Sequence, residues 1–133
     1  MTFVLGARSL ARLKGVHPDL IRVVKRAITL TDTDFTVLEG LRTLERQKAL
    51  VKAGASKTLN SRHLTGHAVD LGALIGGKVA WDWPLYARIA KAMKAAAKAE
   101  RVPLEWGGEA FGPKFRDGPH FQLPFASYPK GAK

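Results

Sequence analysis

Two periods run through the hydrophobic and polar positions of this chain. Leu20, Val23, Val24, Ala27 and Ile28 recur three and four residues apart, with Arg22, Lys25 and Arg26 on the other side. That spacing predicts an amphipathic helix from Pro18 to Leu30. Pro18 stands near the first helical position and Asp19 favours the helix dipole, so His17 reads as a helix-start residue. Phe35 to Glu39 is short, β-branched and alternating, a strand ended by Gly40. Thr43 is placed to cap a second helix, Leu44 to Ala53, closed by Gly54. A polar loop from Ala55 to Arg62 leads to a strand at Ala68 to Leu71, and Gly76-Gly77 can turn a hairpin into Lys78-Val79-Ala80.

Pro84 to Arg101 carries the clearest helical pattern. It is rich in alanine, places Leu85, Ile89, Ala92, Met93 and Ala96 on one face, and stops before Pro103. Leu104 to Trp106 and Phe121 to Leu123 are short strand candidates on either side of a loop rich in Gly and Pro. This order of elements predicts an α+β fold, a small, mainly antiparallel sheet with helices packed against it. With 133 residues and no internal repeat or linker, the chain reads as a single domain spanning 1–133.

Composition narrows the chemistry. The chain has no cysteine, which excludes disulfides, thiolate metal sites and cysteine nucleophiles. A bound metal must therefore be held by His, Asp or Glu. The 22 Lys and Arg against 11 Asp and Glu give a net charge of +11, which favours anionic partners such as nucleic acid, anionic lipid or cell wall. The first residues lack a basic segment followed by a long apolar one, so no secretory signal peptide is expected. No stretch is apolar for the roughly 18–20 residues that cross a bilayer.

His63 and Asp70 lie in Ser61-Arg-His63-Leu-Thr-Gly66-His67-Ala-Val-Asp70, and His120 in Asp117-Gly-Pro-His120-Phe-Gln122. Two His and one Asp match the three protein ligands of a catalytic zinc site, with water as the fourth. Gly66 between the first two lets the backbone turn sharply. The pattern Ser-x-His-x-x-Gly-x-Ala-x-Asp, followed by Trp106-Gly-Gly and then Asp-x-x-His, resembles the zinc peptidase family of D-Ala-D-Ala carboxypeptidases and bacteriophage L-alanyl-D-glutamate endopeptidases. Gly40-Leu-Arg42-Thr precedes the first ligand, and the resemblance runs from His17 to Leu123.

The resemblance implies a Hedgehog/DD-peptidase-like fold with a catalytic core of about 17–124. It implies Zn2+ held by His63, Asp70 and His120, with Asp117 as general base taking a proton from the water that attacks the amide. Asp117 stands where some relatives have Glu, a shorter reach that looks like the phage members. Arg42 matches a substrate-contacting arginine, and Ser61 a serine two residues before the first ligand. On their own, Arg42 could pair with Glu39 or Glu45, Ser61 could cap locally, and Asp117 could be a turn residue. Gln47 is a weaker substrate candidate. His67 is expected to point away from the site by strand alternation. Glu105 and Glu109 can touch substrate or neighbouring side chains, and Trp106 is expected to be buried against the sheet.

Arg88, Lys91, Lys94, Lys98 and Arg101 step by 3, 3, 4 and 3 and form a basic stripe opposite the apolar helix face. Neither a nucleic-acid reading motif nor interleaved aromatics accompany it, so a specific nucleic-acid partner is not expected. A solvated face is the plain reading; attraction to an anionic envelope is the functional one.

The resemblance implies a zinc-dependent peptidoglycan endopeptidase cutting between L-Ala and D-Glu of the stem peptide, an endolysin of phage type. Such a protein is expected to be monomeric, to accumulate in the host cytoplasm and to reach the wall through a separate membrane pore. A D-Ala-D-Ala carboxypeptidase would use the same metal site, with Arg42 anchoring the terminal carboxylate. A basic binding module for an anionic surface or nucleic acid is the reading outside enzymes.

Overall fold

The computed structural model describes residues 3–56, 61–113 and 116–129. In chain order the elements are helices α1 (Ala7–Arg12) and α2 (Pro18–Leu30), strand β1 (Phe35–Glu39) and helix α3 (Leu44–Lys52). A 3-10 turn (Arg62–Thr65), strands β2 (Ala68–Ile75) and β3 (Lys78–Ala80), helix α4 (Trp83–Glu100), and strands β4 (Glu105–Trp106) and β5 (His120–Gln122) follow. The α+β expectation holds, and every strand pairing is antiparallel.

β2 organises the sheet. β1 pairs along one edge of it, while β5 and β3 share the other edge, and β4 continues from β5. One sheet face carries Val37, Val69, Leu71 and Phe121 into the core, where Leu20, Val23 and Val24 of α2 and Ile89, Met93 and Ala96 of α4 meet them. Burying side chains of this size contributes about 1.5–3 kcal/mol each and holds both long helices to the sheet and to each other.

The helix starts expected from the sequence form. His17 is the N-cap of α2, its Nδ1 accepting from the Asp19 amide at 3.0 Å. Thr43 caps α3 by accepting from the Arg46 amide at 3.1 Å. β2 runs four residues beyond the expected end at Leu71, because β3 folds back on Leu74 and Ile75. α4 begins one residue before Pro84, with Asp82 as its N-cap.

Two elements were not expected. α1 turns a polar face inward: Ser9 is buried, its hydroxyl bonded to the Thr36 hydroxyl and accepting from the Val37 amide, both at 2.9 Å. A helix anchored by one buried serine has no apolar repeat to betray it. The expected loop from Ala55 to Arg62 falls outside the described residues at 57–60, and its last residue opens the 3-10 turn Arg62–Thr65, which is capped by Ser61 and ends at Gly66 with φ +77°.

Gly66 joins that turn to α2, its carbonyl accepting from the His17 amide at 2.8 Å. A Cβ there would lie 2.4 Å from the Gly15 carbonyl oxygen, besides requiring a left-handed backbone. Gly66→Ala is expected to lower unfolding free energy by about 2 kcal/mol or more, read from urea denaturation.

Candidate metal centre and active-site cleft

The strand register assembles the site before any side chain is considered. Across the sheet, Glu39 of β1 pairs with Asp70 of β2, and Asp70 pairs with His120 of β5. Directly opposed residues share a sheet face, so these three line up on the face turned away from α2 and α4. Asp70 Oδ1 lies 3.3 Å from His63 Nε2 and 3.3 Å from His120 Nδ1. The three donor atoms all fall within 4.8 Å of one another.

His63 is clamped at both ends. Its Nδ1 donates to the Gly40 carbonyl at 2.9 Å, leaving Nε2 to face Asp70. Its own carbonyl accepts from the Arg42 amide at 2.9 Å. Gly40 is close against α1, where a Cβ would sit 2.2 Å from the Arg12 carbonyl oxygen. His120 is held on the opposite ring edge, its Nε2 bonded to Gln122 Oε1 at 2.8 Å.

These environments set the charges. Burial alone would push Asp70 up, but hydrogen bonds and attraction from His120 and His63 hold it well below the usual carboxylate range. Burial would push His120 down, and its bond to Asp70 outweighs that and raises it. The cluster is thus a carboxylate between two imidazoles, with nitrogen and oxygen donors suited to a borderline cation. Two of its three donor separations, 3.3 Å each, are close to the ~3.4 Å edge of a tetrahedron with zinc bonds of about 2.1 Å, and the third lies within 4.8 Å. The residues fit a zinc ion.

A cleft of about 690 Å³ opens over this cluster, with Arg42, Ser61, Phe111, Asp117 and Phe125 in its walls. Asp117 reaches it from a tightly built turn. The Asp117 amide donates to the Gly107 carbonyl at 2.9 Å, and the Gly107 amide donates to the His120 carbonyl at 2.7 Å. A Cβ at Gly107 would lie 2.4 Å from the Asp117 carbonyl oxygen. The Trp106 indole donates to the Gly118 carbonyl at 2.8 Å, so the buried tryptophan also supports the turn. Solvent reaches Asp117, yet partial burial first, and the charge on Asp70 second, raise its pKa.

Other expected residues take different parts. Arg42 pairs bidentately with Glu39, at 2.7 and 2.8 Å, and donates to Gln47 Oε1 at 2.7 Å. Its Nη2 stands 3.8 Å from Asp70 Oδ2. Glu39, rather than Glu45, is therefore its ion-pair partner. Ser61 caps the 3-10 turn by accepting from the His63 amide at 3.2 Å. Gln47 is fully buried and also donates to the Ser56 hydroxyl at 2.9 Å. His67 bonds the Thr65 hydroxyl and packs near His17 and Tyr128, away from the cluster. Glu109 pairs with Lys94 on the surface at 2.5 Å.

Sequence reasoning passed over Gln122, Arg62 and the aromatic walls. Gln122 was signalled by period-2 alternation, since it follows His120 by two residues and must share its sheet face. Buried Arg62 donates to the Leu123 and Tyr128 carbonyls, at 2.7 Å each from Nη2, and its guanidinium covers the Phe125 ring at 4.1 Å. No local signal marks such a role.

Trp106→Phe removes the indole donor but keeps most of the ring packing. It is expected to cost about 1 kcal/mol of stability and to speed amide hydrogen exchange at Asp117 and His120, measured by mass spectrometry.

A family model described as phage L-alanyl-D-glutamate peptidase matches residues 1–123. The L-alanyl-D-glutamate peptidase of Escherichia phage T5 is 33% identical over 113 residues, covering 82% of each chain. The L-alanyl-D-glutamate peptidase of Listeria phage A118 is 34% identical over 131 residues, which are 96% of this chain and 45% of that protein. Among solved structures, the Serratia marcescens L-Ala D-Glu endopeptidase ChiX superposes with a TM-score of 0.88 at 50% identity, covering 95% of this chain and 94% of ChiX. The D,D-dipeptidase VanXYg, solved with a D-Ala-D-Ala phosphinate analogue, shares the fold at a TM-score of 0.56 and 19% identity, over 81% of this chain and 50% of that one.

Proposed function

This chain belongs to the phage L-alanyl-D-glutamate peptidase family, and from that membership we propose that it is a zinc-dependent endopeptidase cutting the L-Ala–D-Glu bond of the peptidoglycan stem peptide. The observation that carries this reading is the convergence of His63, Asp70 and His120 on one point beneath a cleft that Asp117 also lines. Zinc, when bound by these three residues, polarises the scissile carbonyl and makes water acidic enough to attack near neutral pH.

The protein's own groups divide the remaining work. Asp117 takes the proton from the attacking water and returns it to the leaving amine. Its raised affinity for a proton, from partial burial and then the nearby Asp70 charge, suits a group that must hold the proton between those steps. Glu39 and Gln47 fix Arg42 in place. A guanidinium has five donors, so Arg42 has capacity left for the carbonyl oxygen as negative charge develops on it. Ser61 edges the same cleft and offers its hydroxyl proton to the stem peptide, while its oxygen accepts from the His63 amide.

Among the described residues no helix is long and apolar enough to cross a membrane. In the lytic role proposed here the protein acts on the wall after release through a separate membrane pore, as a single peptidase domain. The basic stripe on α4 is solvent-exposed, and of its members Lys94 pairs with Glu109. Arg88, Lys91, Lys98 and Arg101 are read as drawing the enzyme toward the anionic wall.

Digestion of purified peptidoglycan, followed by mass spectrometry of the new termini, tests the reaction. The expected result is new L-Ala carboxyl and D-Glu amino ends, lost with a chelator and restored by zinc. Asp117→Ala is expected to keep zinc and fold while lowering turnover at least 100-fold, within the range general-base removal produces. Free D-Ala as the product would transfer the protein to the carboxypeptidase reading. For the stripe, replacing Arg88, Lys91, Lys98 and Arg101 together by Gln is expected to flatten the salt dependence of sacculus hydrolysis. An unchanged salt profile counts against wall attraction through α4.

A further inference from the structure

The polar face of the sheet continues past the metal cluster. Gln122 follows His120 on β5 and is directly opposed to Glu105 of β4, so all three side chains lie on one face. Gln122 is 5% exposed. Its Nε2 donates to Glu105 Oε1 at 3.0 Å, and its Oε1 meets His120 Nε2 at 2.8 Å. Each link has a direction. A carboxylate only accepts hydrogen bonds, so Glu105 must face the amide nitrogen of Gln122. That choice turns the Gln122 oxygen, also an acceptor, toward His120. The imidazole must then carry a proton on Nε2, so that Nδ1, which meets Asp70 at 3.3 Å here, is the nitrogen left to offer a lone pair to a metal.

We propose that Gln122, oriented by Glu105, is a positioning residue that selects the His120 tautomer able to ligate metal through Nδ1. The proposal rests on the metal centre described above. It extends that centre by two residues outside the three ligands. The two other ligands are set differently: His63 has its tautomer chosen by a backbone carbonyl, and Asp70 has none to choose. His120 alone depends on a side chain that could present either end of an amide, and Glu105 removes that ambiguity. Partners of this kind typically change metal affinity by about 10–100-fold when lost.

The test measures zinc affinity directly, by competition against a chromophoric chelator, together with 15N chemical shifts of the His120 ring in the zinc-loaded protein. Wild type is expected to show a protonated Nε2 and a ligated Nδ1. Gln122→Leu is expected to weaken zinc binding about 10–100-fold, while the double variant Glu105→Gln with Gln122→Glu, which restores a donor at 105 and still accepts from Nε2–H, stays within a few-fold of wild type. Glu105→Gln, at a half-buried position, keeps a hydrogen-bonding partner but permits the amide to flip, and an intermediate loss is expected. It also serves if Gln122→Leu fails to fold by circular dichroism.

Zinc affinity unchanged in both Gln122→Leu and Glu105→Gln, or a wild-type His120 ligated through Nε2, would overturn the proposal. A wild type that binds no zinc overturns the metal centre along with it. A wild type that binds zinc but leaves peptidoglycan intact overturns only the substrate reading, and the affinity comparison still decides the role of Gln122.

Discussion

The antiparallel register of β2 with its two neighbours is the constraint on which the site depends. Asp70 is opposed by Glu39 on one side and His120 on the other, and a slip of one residue in either ladder would send the displaced side chain into the core. The core prevents the slip, because Val69 and Leu71 flank Asp70 and are fully buried under the helices. Hydrophobic packing on one face thus fixes the spacing of polar groups on the other. The β1 ladder is irregular between Val37 and Glu39, and that irregularity brings Glu39 opposite Asp70.

Glycines let the remaining pieces approach the row. Gly40 allows β1 to lie against α1 while its carbonyl holds His63, and Gly107 allows the Asp117 turn to close on the end of β4. In both places an ordinary side chain would collide with backbone, which cannot be relieved by a rotamer change. The functional groups are therefore supported largely by backbone contacts, an arrangement that holds geometry with little dependence on mobile side chains.

Electrostatics follows the same division. The carboxylates of Glu39 and Asp70 are gathered on the polar sheet face beside Arg42 and the two imidazoles, within a chain of net charge +11. The exposed stripe on α4 lies on the outer side of a helix whose inner side packs on α2 and the sheet. The carboxylates that suit a cation are thus kept apart from the positive surface of α4, and the buried core separates them.

Much of this was legible from residue order. Period-3.6 spacing placed α2 and α4, caps placed the starts of α2 and α3, and the separated His and Asp motifs identified the residues that converge. Those signals are local or repeat at fixed intervals, so they survive in one dimension. Tertiary structure alone decided that Ser9 would bury a polar helix face, that Arg42 would choose Glu39 over Glu45, and that Arg62 would reach Leu123 and Tyr128 across more than 60 residues of chain. It also decided that Glu105, 17 residues away, would orient the Gln122 amide, whose place beside His120 the alternation along β5 already signalled. The physical reason is common to all four. Each is a hydrogen bond or ion pair between groups whose partner is chosen by strand register and helix packing, and neither is encoded in the spacing of the partners along the chain.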